Sequence, residues 1–298
     1  MNAILTAILI GLVLGVLALG VYVAFRILNA PDMTIDGSFT LGAVSFTMIS
    51  QTIIASGCNS FAGIIVGMVV AFIAGAIAGC FTGLLHTFLK VPVVLAGILT
   101  MTILYSINLV ISNKRTSIYI NNSIFDASRG KNIFIALLIV IVITALLILF
   151  FKTFLGRSIR ATGDNEEMVK ASSINSDLMK IIGLGLANAL AGLAGSLYTQ
   201  AVGFYDSTCG NGMMVLGVAG IIIGESLFIF VSLIFKKKSL TLMLIAAVVG
   251  SIIYRIIYAL VLKFGIDSVY LKLLSAVIVI IAISIPHIFK AVKRNARA

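Results

Sequence analysis

Nine apolar segments constrain this chain more than any other feature; they lie near 3–25, 38–56, 61–89, 92–112, 132–152, 179–200, 213–234, 240–262 and 271–289. Each is long enough to cross a hydrocarbon core about 30 Å thick, which takes about 20 helical residues. The third has length to spare, so it is expected to tilt or break. None alternates polar and apolar residues as a barrel strand must, so helices are expected throughout. The first has no Lys or Arg before Arg26. It lacks the basic start of a cleavable signal and reads as a retained span. The expectation is an all-α polytopic membrane protein with about 8–10 transmembrane helices, forming one membrane domain over 1–298.

Composition agrees. The chain is 61% hydrophobic and 10% charged, against about 45–50% and 25% in soluble domains. A soluble enzyme, a secreted disulfide scaffold and a disordered regulator are excluded. The cysteines Cys58, Cys80 and Cys209 make neither a metal-ligand spacing nor an even framework. Cys58 and Cys209 fall in predicted loops and could meet. A net charge of +11 would suggest nucleic acid in a soluble chain. In a membrane protein it reflects basic residues gathered on the cytoplasmic side, so no nucleic-acid partner is expected.

Counting those residues sets an orientation. With the 153–178 loop inside, so are Arg26, Lys90, Lys152, Arg157, Arg160, Lys170, Lys180, Lys236–Lys238, Lys290, Lys293, Arg294 and Arg297, about 14 of the 21 basic residues. The other face keeps Lys114, Arg115, Arg129, Lys131, Lys263 and Lys272. This places the N-terminus outside and the C-terminus in the cytoplasm of a bacterial cell membrane. On the third span Ala71, Gly75, Gly79 and Gly83 form a small-residue ladder, read as helix packing rather than a pore lining.

Two stretches echo one another. Asp32-x-Thr34-x-x-Gly37-x-x-x-Leu41-Gly42 is matched, with one extra residue, by Asp206-x-Thr208-x-x-x-Gly212-x-x-x-Leu216-Gly217. They fall on opposite sides of the membrane. The halves, about 1–112 and 179–289, would be inverted repeats joined by the connecting helix 132–152, and such repeats enclose transport pathways. Asp32, Thr34, Asp36, Ser38 and Thr40, with Asp206 and Thr208, are therefore candidate pathway residues. The competing reading makes Asp32 and Asp36 hydrated caps of the next helix, with Ser38 a further cap.

Glu225 and Arg255 are the two ionisable residues placed well within spans, where charges face the interior and find partners. They are expected to pair; otherwise Arg255 snorkels outward or Glu225 meets a substrate ammonium group. Both join the pathway candidates. The histidines, His86 and His287, sit near helix ends and read as interfacial. No metal site or catalytic constellation is visible.

The 153–178 loop is the longest soluble piece on the cytoplasmic side. Gly163 punctuates it, Asp164 and Glu167 read as a capping box, and a short helix is expected over about 165–172. A capped helix between two spans exceeds what topology needs, so it reads as a docking element.

This loop, with Ile182-Gly183-x-Gly185-Leu186-Ala187-Asn188-Ala189-Leu190-Ala191-Gly192-Leu193-Ala194-Gly195 after it, resembles the permease subunits of ABC importers of the branched-chain amino acid and ribose type. Leu28 through Ala43 resembles a sub-branch described as uncharacterised or as serving tryptophan or other aromatic amino acid uptake. The resemblance implies a coupling helix that fits a cleft in a cytoplasmic ATPase, carried here by Arg160, Gly163, Asp164, Asn165, Glu166, Glu167, Met168, Lys170 and Ala171. One departure is Ser173, where the family usually has glycine. The resemblance also implies a second permease copy, an extracytoplasmic substrate-binding protein and surrounding lipid as partners. The chain has no G-x-x-x-x-G-K-[ST] loop. It is expected to hold no cofactor and not to be an enzyme, with ATP and Mg bound by the partner ATPase. The solute is expected to be an amino acid, possibly aromatic; a sugar or nucleoside is the alternative within the class, and an ion-coupled secondary carrier the alternative outside it.

Overall fold

The computed structural model describes residues 2–120, 123–125, 129–232 and 239–263, with isolated positions 273, 276, 277 and 280. Apart from those four positions, the span near 271–289 lies outside the described residues, as do the Lys236–Lys238 run, His287 and the basic tail.

Helix α1 (Asn2–Tyr22) runs into a π turn at Val23–Ile27, followed by α2 (Thr34–Ala55), α3 (Ser60–Phe88) and α4 (Val93–Ile111). After strand β1 (Ser117–Tyr119) come α5 (Arg129–Lys152), the short α6 (Phe154–Asp164) and α7 (Glu166–Ala171), and the long α8 (Ser176–Val202). Strand β2 (Phe204–Asp206), α9 (Met213–Ser232) and α10 (Leu240–Lys263) complete the described chain. Among the described residues seven helices are long and apolar enough to cross a membrane, and α9 adds a shorter apolar one. α3 keeps all 29 residues in one helix, roughly 43 Å at 1.5 Å per residue, so it tilts rather than breaks.

Helices α1, α2 and α8 form the buried centre. The others turn apolar side chains outward: Ile73 and Ile77 on α3, Leu99 and Ile103 on α4, Ile141 and Leu146 on α5. Water would not tolerate so continuous an apolar surface; hydrocarbon does. The ladder on α3 packs on α8, where side-chain atoms added at Gly75 or Gly79 would strike the carbonyls of Asn188 and Leu184. Small residues permit that approach, which is how helices gain contact where lipid is as apolar as leucine.

The packing partners exchange between the two ends of the chain. α2 lies on α3 as α9 lies on α10, and α3 lies on α8 as α10 lies on α1. At the end opposite α6 and α7, β1 and β2 pair antiparallel, with Ile118 facing Tyr205. This ribbon ties the segment after α4 to the segment after α8.

Candidate functional site

The docking element is built in two pieces rather than one. α6 is capped by Thr153, whose hydroxyl accepts from the Gly156 N–H at 3.3 Å. It buries Gly156, Ile159 and Thr162 on one side and exposes Arg157, Arg160, Ala161 and Asp164 on the other. The expected break at Gly163 does not occur, because the helix continues to Asp164. The break comes at Asn165, which is extended (φ −159°) and whose side chain accepts from the Met168 N–H at 3.1 Å. Asp164 is therefore not the cap: it still lies in the last turn of α6, and the first residue free to leave helical geometry is Asn165.

α7 covers Glu166–Ala171, shorter than expected. Val169 is its buried anchor, while Glu167, Met168, Lys170 and Ala171 face outward, Met168 at 68% exposure. The helix ends in a left-handed residue, Ser173 (φ 59°). The Ile174 N–H returns to the Val169 carbonyl and the Ser173 N–H to Lys170, a Schellman ending. Serine thus holds the conformation glycine adopts most easily, and the departure noted at 173 leaves the turn's shape intact.

Two residues of the expected docking set bind the element to the body instead of facing out. Glu166 pairs with Lys170 at 2.9 Å and with Lys180 of α8 at 2.6 Å, and accepts from the Ser176 hydroxyl. Hydrogen bonds from Lys170 and then Lys180 pull its carboxyl down to about 2. Reciprocally, Glu166 pushes the Lys170 ammonium up. Gly163 packs on the turn after α1, where an added Cβ would collide with the Ile27 carbonyl. Its own carbonyl accepts from the Asn29 side chain at 3.2 Å. Between this element and α3, α4 and α8 lies a cavity of about 360 Å³, lined in part by Asn29, His86, Asn165 and Lys180.

The turn that Gly163 touches leads into the candidate pathway residues, and these are buried. Asp32 accepts the Thr34 N–H at 2.9 Å and the Asn188 side-chain amide at 2.6 Å. Asn188 stands 12 residues into α8, roughly 18 Å along a helix of roughly 40 Å, so Asp32 lies near mid-depth. Thr34 shares a hydrogen bond with Thr82 of α3 at 2.7 Å. Asp36 accepts the N–H groups of Gly212 and Met214 at 2.8 and 2.7 Å. It caps the first turn of α9 from a different helix. Thr40 donates to the Asp36 carbonyl, and the Ser38 hydroxyl is buried without a partner among the described residues.

Neither aspartate is a hydrated loop group, and Ser38 caps nothing. Asp32 does turn the chain locally, as Asp206 does by accepting the N–H and hydroxyl of Thr208. Asp206 is half-buried and Thr208 exposed, so the two Asp-x-Thr turns share geometry but not surroundings.

The expected Glu225–Arg255 pair does not form. Glu225 is bound instead by Arg26, which lies in the π turn Val23–Ile27. Arg255 lies over the ring of Tyr258, 4.5 Å from its centroid. All three cysteines are free. Among the residues that sequence reasoning passed over as site groups, Asn188, Lys180 and Arg26 matter most. Asn188 carried a signal: it is an amide in the middle of a Gly/Ala-rich span.

The family model described as the branched-chain amino acid transport system permease component matches residues 3–284. A tyrosine transport system permease protein of Clostridioides difficile strain R20291 is 37% identical over 289 residues, covering 94% of this chain and 90% of the relative. An uncharacterized protein of Rickettsia prowazekii strain Madrid E is 30% identical over 295 residues, covering 95% and 98%. Among solved structures, PsaBC from Streptococcus pneumoniae in complex with Fab aligns with a TM-score of 0.51 at 16% identity, covering 94% of this chain and 89% of that one. At that identity the likeness speaks for the fold alone.

Proposed function

The chain belongs to the family of branched-chain amino acid transport permeases, and from that premise we propose that it is the membrane subunit of an ABC importer for an aromatic amino acid. The tyrosine permease relative supports the solute class. The observation that carries the mechanism is the outward face of α6 and α7: Arg160, Asp164, Glu167, Met168, Lys170 and Ala171 are exposed, while Gly163 and Glu166 bind the same element to α1 and α8. A rigidly attached, protruding element passes force inward. A cytoplasmic ATPase seated on that face binds ATP and Mg, and its closure displaces α6 and α7. Gly163 carries the displacement to the turn before Asp32, and the Asp32–Asn188 contact carries it to the centre.

In this reading two permease copies face each other, and a binding protein delivers solute from outside. The repeats are inverted, in keeping with the exchanged helix pairing. Neither half moves freely alone, since Asp36 of one caps α9 of the other. Met168→Glu and Glu167→Arg are surface changes expected to abolish co-purification with the ATPase while leaving the permease folded in detergent. Normal ATPase stimulation by either variant would overturn the docking assignment. Tyrosine uptake by the lone chain under an ion gradient, without ATPase, would replace this reading with a secondary carrier.

A further inference from the structure

The docking element does not seal against the spans behind it: a cavity of about 360 Å³ separates them. That size falls within the range of about 300–1,000 Å³ typical of small-molecule sites. One wall is the joint between α6 and α7, and the other is made by His86 of α3, Val93 of α4 and Lys180 and Leu184 of α8. The two ends differ in character. The mouth is exposed and polar, at Asn29, Asp164 and Asn165, whereas Leu28, Ala30 and Leu184 close the floor with buried hydrocarbon.

The floor lies close to the buried pair at the centre. Asn188 stands one turn beyond Leu184 on α8 and donates to its carbonyl at 2.9 Å. Gly97, one turn beyond Val93 on α4, packs on the Asp32 carboxylate. One helical turn, about 5.4 Å, therefore separates the cavity from the Asp32–Asn188 contact. The charges nearer the mouth are mixed. Lys180 gives an N–H to Glu166 at 2.6 Å, and an ammonium carries three; Asp164 and Glu166 add two carboxylates. Carboxylates at the entrance repel a phosphate, and a hydrocarbon floor offers a sugar nothing to bond. A zwitterion with an apolar side chain satisfies both ends.

We propose that this cavity binds the aromatic amino acid from the cytoplasm and brakes the transporter, a proposal that rests on the importer reading above. The ring takes the floor between Leu28, Ala30 and Leu184, the carboxylate meets Lys180, and Asp164 holds the ammonium group. The brake is steric. Closure of the ATPase moves α6 and α7 against the spans, and an occupant behind Asn165 stops that travel before it reaches the turn ahead of Asp32.

The test uses the permease–ATPase complex in lipid nanodiscs, whose two faces are both open, and follows ATP hydrolysis stimulated by tyrosine-saturated binding protein. Free tyrosine is then raised into the millimolar range. Hydrolysis by wild type is expected to fall roughly five-fold or more. Tyramine, without the carboxylate, and hydroxyphenylpropionate, without the ammonium group, should act roughly ten-fold more weakly. Val93→Phe fills the floor from α4 without touching the docking face. Its stimulated hydrolysis should persist, now indifferent to free tyrosine, and so should its ATP-driven tyrosine uptake into liposomes. Should Val93→Phe fail to assemble with the ATPase, Val93→Leu is expected to show the same loss of inhibition in part. Wild-type hydrolysis that ignores free tyrosine overturns the brake and leaves the importer reading standing. So does inhibition of the Val93 variants equal to wild type, or equal inhibition by all three compounds. An assembled Val93→Phe complex that no longer takes up tyrosine makes the cavity an exit route and likewise overturns the brake. Absence of stimulation by any binding protein loaded with an aromatic amino acid overturns both.

Discussion

Ser173 holds a left-handed backbone (φ 59°) that costs an L side chain roughly 1–2 kcal/mol and glycine almost nothing. Ser173→Gly should therefore stabilise the turn after α7, less the entropy glycine adds to the unfolded chain. The expected gain is up to about 1 kcal/mol, read as a higher midpoint in thermal unfolding of the detergent-solubilised protein. Glu166 gives a pH prediction. Its carboxyl is held at about 2, below the ordinary value of about 4.3, so the undocked form binds a proton more readily. The contribution of this brace is complete above about pH 4.3 and is lost as pH falls toward 2. Amide exchange in α7, compared with the slow amides of α8, should rise between pH 7 and pH 3 once the intrinsic exchange rate is corrected for. Lys180→Met should show the raised exchange already at pH 7.

At the scale of elements, α6 is fixed to the turn after α1 because Gly163 packs against the Ile27 carbonyl. Overpacking of this kind costs about 1–3 kcal/mol where the neighbours cannot yield, and here the neighbour is backbone. Gly163→Ala should push α6 away from the α1 turn and uncouple ATP hydrolysis from uptake. Gly57→Ala, in open space but with φ 86°, should cost backbone strain without affecting coupling. The measured quantity is solute moved per ATP hydrolysed. The spans themselves were legible, since all nine apolar segments but the one outside the described residues became helices at nearly the expected limits. Which spans are central was not. α1 and α5 are both uniformly apolar, yet α1 is buried and α5 faces outward. In lipid the outside is as apolar as the inside, so hydrophobicity loses the power to sort them.

For the whole molecule, the basic-residue count assigns the α6–α7 end to the cytoplasm and the α2–α3 turn to the exterior. Cys58 lies exposed in that turn, whereas Cys80 and Cys209 are partly buried. A membrane-impermeant maleimide should label Cys58 in intact cells. With Cys58 replaced by serine, a Lys170→Cys variant should be labelled only after permeabilisation; the reverse pattern would invert the topology.

The sequence by itself determined what composition and run length control: a multi-span helical protein, the placement of its spans, and a short helical element with exposed charge after the connecting span. Those follow from local propensity and from the cost of leaving backbone groups unpaired in hydrocarbon. Only the tertiary structure decided the partners of the buried polar groups. Asp36 meets the start of α9, Asp32 meets Asn188, and Glu225 meets Arg26 rather than Arg255. Each pairing joins residues more than 150 positions apart. Side-chain spacing along one helix measures depth in the membrane, but it carries no information on rotation about the helix axis or on which neighbour stands opposite. Packing settles both, and here it set Arg255 against the ring of Tyr258.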